Sequence, residues 1–338
     1  MSKKLKWGIL GTGNIAQIFT EGIKKSKTGE LVAIASRRKE TARQFSHKNK
    51  VNKYYVGYNK LLENKEIDIV YIALPHPLHA EWSIKAANNN KHVLCEKPMA
   101  MNYKEAVSVI AAVKENNVFF MEGMMFRCHP QTTKLTEILK NNIIGDVGVV
   151  SATFSYNADP ITSPQSYDKQ LGAGAIMDVG CYAVSMARLI AGAVQGESFL
   201  NPIDVKGVAV IRHDSKVDEY SIGTLKFENG IIAQISTGIH IDQENSVRIY
   251  GSKGEIYIKS PWVPGGREPG ETNILYRNSR YGDYNEIVAK SDWNLYSLEV
   301  DHINENIRNK QSSAISWEDS LGNIRVLDAW RVEVGVQY

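Results

Sequence analysis

The first third of the chain alternates short apolar runs with helix-like stretches, and this alternation restricts the fold more than any other feature. Strand candidates are residues 4–10, 31–36, 67–74, 92–95 and 118–121, with a weaker one at 53–58. Helical patterns lie between them at 14–27, 38–48, 77–89 and 103–116. Continuously apolar strands that alternate with helices are typical of a parallel sheet buried on both faces. We therefore predict a doubly wound α/β domain of the Rossmann type.

The pattern changes after about residue 145. Strand candidates become longer, at 147–156, 203–213, 218–227, 231–240 and 246–259, and tight turn signals join them. Period-two alternation is clear in EYSIGTLKF at 219–227. Neighbouring alternating strands with tight turns predict a mostly antiparallel open sheet with one solvated face.

Three helices are predicted in this second part, at 175–191, 298–308 and 317–330. The stretch 261–270 is rich in proline and glycine and is predicted to be a loop. The break between the two parts lies near 123–130. We expect two domains, 1–124 and 125–338.

Composition excludes several classes of protein. The 338 residues are 43% hydrophobic and 23% charged, close to the globular average, which excludes a disordered tail protein, a fibre and a membrane bundle. A net charge of +3 is too small to indicate nucleic-acid binding. Three widely spaced cysteines predict free thiols in a reducing compartment. No secretory signal and no apolar run of membrane-spanning length is recognised, so we expect a cytoplasmic protein that binds neither membrane nor nucleic acid.

A glycine-rich turn follows the first strand and opens the first helix. Residues 11–16 read GTGNIA, which matches G-x-G-x-x-A in the position that dinucleotide binding requires. The first glycine would make the turn, the second would admit the pyrophosphate, and the small Ala16 would let helix and strand pack. The alternative is a glycine-rich turn without a ligand. We expect cofactor contacts from Gly11, Thr12, Gly13, Asn14 and Ile15.

The end of the second strand suggests which dinucleotide binds. It reads Ser36-Arg37-Arg38, where an NAD site usually carries an acidic residue and an NADP site carries arginine for the 2′-phosphate. The alternative is a solvated helix start. We predict NADP, with NAD possible, and contacts from all three residues.

Five further segments occur in a fixed order and suggest a family: LPHPLH at 74–79, CEKP at 95–98, FRCHP at 126–130, IGD at 144–146 and GAGAIMDVGCY at 172–182. Together with the glycine-rich turn they resemble the Gfo/Idh/MocA oxidoreductases over nearly the whole chain. The resemblance implies that 1–124 is a Rossmann domain for dinucleotide binding and that 125–338 is an α/β domain for substrate binding and oligomerisation. It also implies a large open sheet in that second domain, buried in a homodimer or homotetramer.

The resemblance also implies roles for individual residues. Lys97 matches the lysine beside the nicotinamide, and Asp178 matches the active-site aspartate. Tyr182 stands where many members have a catalytic histidine. This departure resembles the branch of glucose–fructose oxidoreductase, the dimeric dihydrodiol dehydrogenases and NADP-dependent sugar dehydrogenases. Further cofactor contacts are expected from Leu74, Pro75, His76, His79, Glu96, Lys97 and Arg127.

Some of these contacts have structural alternatives. His79 could instead cap the following helix, and Arg127 could form a structural salt bridge. The pair Cys128-His129 resembles a metal site only superficially, because no other residues give tetrahedral ligand spacing. We therefore predict no metal. Phe154 and Tyr156 share one face of a strand and could line a substrate pocket or an oligomer interface.

Spacing and side-chain chemistry suggest an acid/base mechanism. Asp178 and Tyr182 are four residues apart and would share one face of a helix, opposite an apolar side. A free tyrosine, with a pKa near 10, is a weak base at neutral pH, and an ammonium such as that of Lys97 favours the phenolate. We expect Tyr182 to be the general acid/base, Lys97 to assist it, and Asp178 to orient the substrate or Lys97. The alternative makes Lys97 the proton donor and Tyr182 its partner.

These observations predict an NADP-dependent oxidoreductase that acts on a sugar, a sugar derivative or a vicinal diol. Two alternatives stay open. One is a catalytically silent sensor or regulator of the same fold. The other is a sugar–sugar oxidoreductase that retains its cofactor.

Overall fold

The computed structural model describes residues 4–338, and these divide into two compact units. The first unit comprises residues 4–128 and 292–321, and the second comprises 129–291 and 322–338. The sequence predicts one break between 124 and 125. The observed division differs because the chain after residue 291 returns to the first unit before it ends in the second.

A six-stranded parallel sheet forms the centre of the first unit. Its strands are β1 (Leu5–Leu10), β2 (Gly29–Ser36), β3 (Lys53–Val56), β4 (Ile69–Ile72), β5 (His92–Glu96) and β6 (Phe120–Gly123). Its helices are α1 (Asn14–Lys25), α2 (Lys39–Asn49), α3 (Asn59–Leu62), α4 (His79–Asn88) and α5 (Tyr103–Glu115). The strand order β3-β2-β1-β4-β5-β6 is that of dinucleotide-binding folds, with the switch point between β1 and β4.

The apolar runs form strands because both of their faces are covered. All four residues of β4 are buried, and so are the last four of β1. Phe19 of α1 stacks on Tyr71 of β4 with ring centroids 3.8 Å apart, and Trp7 of β1 meets Phe19 edge-on. The predicted parallel, doubly wound sheet is thus confirmed.

An eight-stranded sheet dominates the second unit. Its strands are β7 (Val147–Ser155), β8 (Asp204–Ile211), β9 (Asp218–Lys226), β10 (Ile232–Gly238), β11 (Ser246–Gly251), β12 (Glu255–Lys259), β13 (Gly270–Arg277) and β14 (Asn285–Ser291). The order is β14-β13-β12-β11-β7-β10-β9-β8. Neighbours are antiparallel except for β7 and β10, which run parallel, so the mostly antiparallel sheet is confirmed.

Three elements of this unit are absent from the sequence prediction: β13, β14 and the helix α6 (Pro130–Lys140). The two strands carry many polar residues and lack a strong apolar alternation, and their ladders with β12 and with each other hold them in place. Helix α6 begins with a proline, and the ring of His129 caps it by accepting a hydrogen bond from the Gln131 N–H at 3.0 Å.

The central helix α7 (Cys181–Ala193) follows a π-helical turn, Ile176–Gly180. The longer stretch Lys169–Ala193 is long and apolar enough by composition to cross a membrane. This corrects the expectation that no apolar run has membrane-spanning length. The most apolar window of this stretch is 94% buried within the fold, as in the core helix of a soluble protein.

The last two helices are α8 (Leu295–Asn306) and α9 (Trp317–Glu333). Helix α8 belongs to the first unit, where the carboxylate of Asp301 accepts hydrogen bonds from the hydroxyls of Ser26 and Thr28, each at 2.6 Å. The Ser297 hydroxyl donates to the Gly22 carbonyl at 2.9 Å, and Val300 is fully buried. These contacts with α1 and the following turn account for the return of the chain to the first unit.

Candidate active site

A cleft of about 660 Å³ lies at the carboxyl ends of β1, β2 and β4 in the first unit. Eight of the predicted cofactor-binding residues line it: Gly11, Thr12, Gly13, Ser36, Arg37, Arg38, Leu74 and Pro75. Thr41, Tyr58 and Ala73 complete the lining. The structure therefore brings together in space the glycine-rich turn, the end of β2 and the loop after β4, which are separated along the chain.

The two glycines of the turn have different environments. Gly11 has a φ of +109°, and a Cβ atom there would run into the carbonyl oxygen of Ala73. Gly13 has an ordinary φ of −79°, and no atom of the described residues outside its own chain neighbourhood lies within 4 Å of the position that its Cβ would take. Gly11 thus shapes the turn, whereas Gly13 leaves space at the start of α1. Ala16 is fully buried, as its predicted packing role requires.

Polar groups at the end of β2 face the same cleft. The hydroxyls of Ser36 and Thr41 lie 2.7 Å apart, and Arg37 and Arg38 are exposed. Burial raises the pKa of the Tyr58 phenol, against the opposing effect of the Arg37 guanidinium. The cleft therefore offers two guanidinium groups beside hydroxyls, a set of donors suited to a phosphate.

Thr41 and Tyr58 were not predicted as site residues. Tyr58 follows β3, and the carboxyl end of a parallel strand meets the cleft edge of the sheet. That position was the signal available in the sequence, but the weak strand pattern at 53–58 concealed it.

His79 connects two segments of the predicted cofactor site. Its ring is fully buried, with Nδ1 2.8 Å from the Pro98 carbonyl oxygen and Nε2 2.7 Å from the Leu74 carbonyl oxygen. Burial first, and then the charges of His76 and Lys97, lower its pKa to about 3. The ring is therefore neutral at physiological pH and donates to one of the two carbonyls at a time.

Other predicted residues of the first unit lie outside the cleft lining. Asn14 and Ile15 begin α1, while His76 begins a short 3₁₀ turn and faces His79 with ring centroids 5.6 Å apart. Lys97 is half-buried directly after β5. Glu96 is buried at the end of β5, where it accepts a hydrogen bond from the Tyr71 hydroxyl.

Arg127 forms the structural salt bridge that the sequence left open as an alternative. Its guanidinium lies 2.8 Å from the carboxylate of Asp319, and both side chains are almost completely buried. It also donates to the Ala314 carbonyl at 2.9 Å. These contacts lie within the first unit and connect the end of its Rossmann portion to the returning segment.

In the second unit, Asp178 and Tyr182 contact side chains from the same face of β7 and its extension. The Tyr156 hydroxyl donates to Asp178 Oδ2 at 2.5 Å. The Phe154 ring meets the Tyr182 ring edge-on with centroids 5.1 Å apart, and it stacks on Trp262 at 5.4 Å. Two of the three predicted catalytic residues, Asp178 and Tyr182, thus form one cluster with the predicted substrate residues.

This cluster also includes Trp262, which lies in the stretch 261–270 that the sequence predicts to be a loop. Trp262 is only 2% exposed, and its indole N–H donates to the Thr153 carbonyl at 2.8 Å. An indole held by a backbone carbonyl is a rigid aromatic surface.

The segment that carries Asp178 differs from the predicted continuous helix. Asp178 lies in the π-helical turn, and Tyr182 is the second residue of α7. All residues of α7 are buried, so the expected contrast between an apolar and a polar side is absent. The helix lies at the centre of the unit, where β7 and β10 pack against it.

Comparison with protein families gives two matches along the chain. Residues 5–124 match the NAD-binding Rossmann domain of the GFO/IDH/MocA oxidoreductase family. Residues 132–257 match the GFO/IDH/MocA C-terminal domain. These two segments cover well over half of the chain.

Individual relatives span most of the chain. The trans-1,2-dihydrobenzene-1,2-diol dehydrogenase of Danio rerio is 32% identical over 263 residues, covering 77% of this chain and 76% of the relative. The enzyme of that name from Xenopus laevis is 30% identical, with 98% and 99% covered. Among solved structures, a 3-ketoreductase from Actinomadura kijaniata in complex with NADP and TDP-benzene matches with a TM-score of 0.87 and 26% identity, covering 98% of each chain.

Proposed function

The chain belongs to the GFO/IDH/MocA oxidoreductase family, and from this premise we propose that it is an NADP-dependent oxidoreductase acting on a hydroxyl or carbonyl carbon of a sugar, a sugar derivative or a vicinal diol. The observation that carries the proposal is the cluster around Asp178 and Tyr182 in the second unit. It places a carboxylate and a phenol beside aromatic rings, which suits a polyhydroxylated or cyclic substrate.

The cleft of the first unit fits the dinucleotide. The space at Gly13 and the first N–H groups of α1 would receive the pyrophosphate, because a glycine cap has no side chain to accept from those groups. Arg37 and Arg38 would hold the 2′-phosphate of NADP. The relative solved in complex with NADP supports the choice of cofactor. When bound, the nicotinamide supplies or accepts the hydride.

In the proposed mechanism, the chain's own residues transfer the proton. During oxidation, Tyr182 accepts the proton of the substrate hydroxyl as the C–H bond gives up its hydride and the carbonyl forms. During reduction, Tyr182 returns a proton to the carbonyl oxygen. Lys97 favours the phenolate form of Tyr182 and hydrogen-bonds the substrate oxygen. Asp178, already bonded to Tyr156, orients the substrate or Lys97.

The first experiment measures binding and turnover with the purified protein. NADPH and NADH are titrated by fluorescence, and absorbance of the reduced cofactor is followed with aldoses, ketoses, inositols and vicinal diols, including trans-1,2-dihydrobenzene-1,2-diol. We expect tighter binding of NADPH than of NADH and turnover of at least one compound. NADPH binding without turnover of any panel member would favour a sensor, and cofactor that survives dialysis would favour a sugar–sugar oxidoreductase.

The acid/base assignment is tested by comparing Tyr182→Phe with Lys97→Met. Loss of a general acid/base lowers the turnover rate by roughly 10²–10⁴-fold, and Tyr182→Phe is expected in that range, with the basic group lost from the pH–rate profile. Tyr281→Phe and Lys60→Met, at exposed positions, are the controls. Near-full turnover in Tyr182→Phe together with collapse in Lys97→Met would assign the proton to Lys97 instead.

We also propose that the chain self-associates, as a homodimer or homotetramer, through the open face of the eight-stranded sheet. Apolar side chains on that face are exposed, among them Val208 at 70% and Ile222 at 44%. Cys95, Cys128 and Cys181 form no disulfide, which supports a reducing, cytoplasmic location.

A further inference from the structure

Asp218, the first residue of β9, is a buried carboxylate that the proposed mechanism does not use. Its side chain is completely buried, and Oδ2 accepts a hydrogen bond from the Ile176 N–H at 2.6 Å. Asp218 therefore receives the first N–H group of the π-helical turn that carries Asp178, although it lies 42 residues from Ile176 along the chain.

The turn before this helix is shaped around the carboxylate. Gly174 has a φ of +127°, and a Cβ atom there would run into Asp218 Oδ1 and the Tyr338 hydroxyl. The Gly174 carbonyl in turn accepts a hydrogen bond from the Asp178 N–H at 3.0 Å. The backbone of Asp178 is thus one hydrogen bond away from a residue that packs directly against Asp218.

Two further side chains hold the same short segment, residues 173–176. The Thr237 hydroxyl, on β10, donates to the Ala175 carbonyl at 3.0 Å. The Tyr338 hydroxyl donates to the Ala173 carbonyl. Asp218 differs from these two because it accepts a hydrogen bond from the segment, through a carboxylate.

We propose that Asp218 is a positioning residue, which fixes residues 173–176 and thereby the placement of Asp178 and Tyr182. The inference rests on the proposed function of these two residues. Hydrogen bonds from backbone N–H groups to a carboxylate are charge-assisted and stronger than neutral ones. Tyr182 lies six residues beyond Ile176 along the same continuous helical backbone, so a shift of the turn moves both functional side chains.

The protonation state of Asp218 changes near neutral pH. Burial raises its pKa to about 7, against the opposing effect of the Ile176 N–H and of Arg331 on α9. Tyr338, which also faces it, stays a neutral hydroxyl because burial and the charges of Asp218 and Asp178 raise its pKa. Below about pH 7 the carboxyl is therefore neutral, and the hydrogen bond that it accepts from the Ile176 N–H loses its charge assistance.

The test compares Asp218→Ala and Asp218→Asn, with Asp214→Asn as the matched control. Asp214 is an exposed carboxylate in the β8–β9 connection, paired with Arg212. The turnover rate is measured on the panel compound with the highest activity, together with the dissociation constant of NADPH. Since a misplacement of about 1 Å costs roughly 10²-fold in rate, we expect Asp218→Ala to lose at least tenfold in kcat with NADPH binding unchanged.

Asp218→Asn keeps a hydrogen-bond acceptor at this position but removes the ionisable carboxyl group. Its amide oxygen still accepts a hydrogen bond, so part of the kcat is expected to return. The decline of the wild-type kcat below pH 7 should be absent from Asp218→Asn and present in Asp214→Asn. If Asp218→Ala does not fold, the pH profile and the hydrogen exchange of Asp218→Asn test the proposal. A wild-type kcat and pH profile in the folded Asp218 variants would overturn the proposal.

Hydrogen exchange separates this proposal from the proposed function. Backbone amides of residues 173–182 should exchange faster in Asp218→Ala, or in Asp218→Asn if the alanine variant does not fold, than in Asp214→Asn. The kcat losses of Asp218→Ala and Tyr182→Phe should not multiply in the double variant. Unchanged exchange would contradict the positioning role whatever Tyr182→Phe does. Faster exchange in the Asp218 variant, combined with full turnover in Tyr182→Phe, would instead contradict the catalytic role of Tyr182.

Discussion

Burial determines the protonation of two side chains that hold the candidate site residues in place. His79 and Asp218 are both completely buried, and in both cases burial favours the neutral form. The pKa of the histidine therefore falls to about 3, whereas the pKa of the aspartic acid rises to about 7. His79 keeps one protonation state through the physiological range, but Asp218 changes its state within that range. Of these two residues, only Asp218 can make the site sensitive to pH near neutrality.

A single exposed side chain is expected to decide between NADP and NAD. Arg37→Ala should raise the KM for NADP by roughly 10–100-fold, because a hydrogen bond to a charged group contributes about 1.5–3 kcal/mol. The KM for NAD should stay nearly unchanged, since NAD lacks the 2′-phosphate. Steady-state kinetics with both cofactors measure the two values.

Arg43→Ala provides the control for this prediction. Arg43 is exposed on α2 of the same unit and is paired with Glu40 at 3.1 Å, away from the cleft lining. It should leave both KM values as they are. An equal rise for NADP and NAD in Arg37→Ala would mean that Arg37 does not bind the 2′-phosphate.

The β1–turn–α1 element contains two glycines with different expected roles: Gly11 shapes the turn, and Gly13 leaves space for the cofactor. Gly11→Ala forces a Cβ into the Ala73 carbonyl oxygen at a positive φ, so it should destabilise the first unit by about 1–3 kcal/mol. Gly13→Ala meets open space at an ordinary φ and should leave the melting temperature unchanged. Its methyl group would occupy the approach of the pyrophosphate, so NADPH binding should weaken.

Thermal unfolding and NADPH titration of both variants measure these effects. Gly57→Ala, at another positive φ but with open space around its Cβ position, controls for backbone strain alone. It should destabilise less than Gly11→Ala does. Undiminished NADPH affinity in Gly13→Ala would show that the cofactor does not approach α1 closely.

At the level of the whole chain, each of the two units has its own buried core and its own sheet. The first unit is completed by residues 292–321, whose helix α8 covers α1 and brings Val300 and Ile303 into the core. The second unit is completed by residues 322–338, where Trp330 packs against Gly207 and Gly223 of the strands. A fragment ending near residue 124 would therefore lack part of the first core.

The exposed face of the eight-stranded sheet is where self-association is expected. Val208 pairs with Ile222 and Val210 with Tyr220 across β8 and β9, and all four are exposed. Burying a large apolar side chain contributes about 1.5–3 kcal/mol. The double variant Val208→Lys/Ile222→Lys should therefore dissociate the assembly to monomers in sedimentation experiments.

Ile161→Lys is the control for this face. Ile161 is 87% exposed in the segment after β7, outside the sheet. This variant should keep the wild-type mass. A wild-type protein that sediments as a monomer, or a double variant of unchanged mass, would contradict the assignment of the interface.

The sequence by itself determined the fold class, the positions of most strands and helices, and the segments of the cofactor cleft. These features are local: buried parallel strands are continuously apolar, solvated sheets alternate, and a turn such as that at Gly11 requires glycine. The strands β13 and β14 escaped prediction because their polar residues are stabilised by neighbouring strands rather than by an apolar pattern of their own.

Only the tertiary structure decided how distant side chains meet. It brought Thr41 and Tyr58 into the cleft, paired Arg127 with Asp319, and returned α8 to the first unit. It also placed Asp218 on the turn that carries Asp178. The physical reason is common to all of these contacts: the partners are far apart along the chain, and their hydrogen bonds and burial exist only after the sheets and helices have packed.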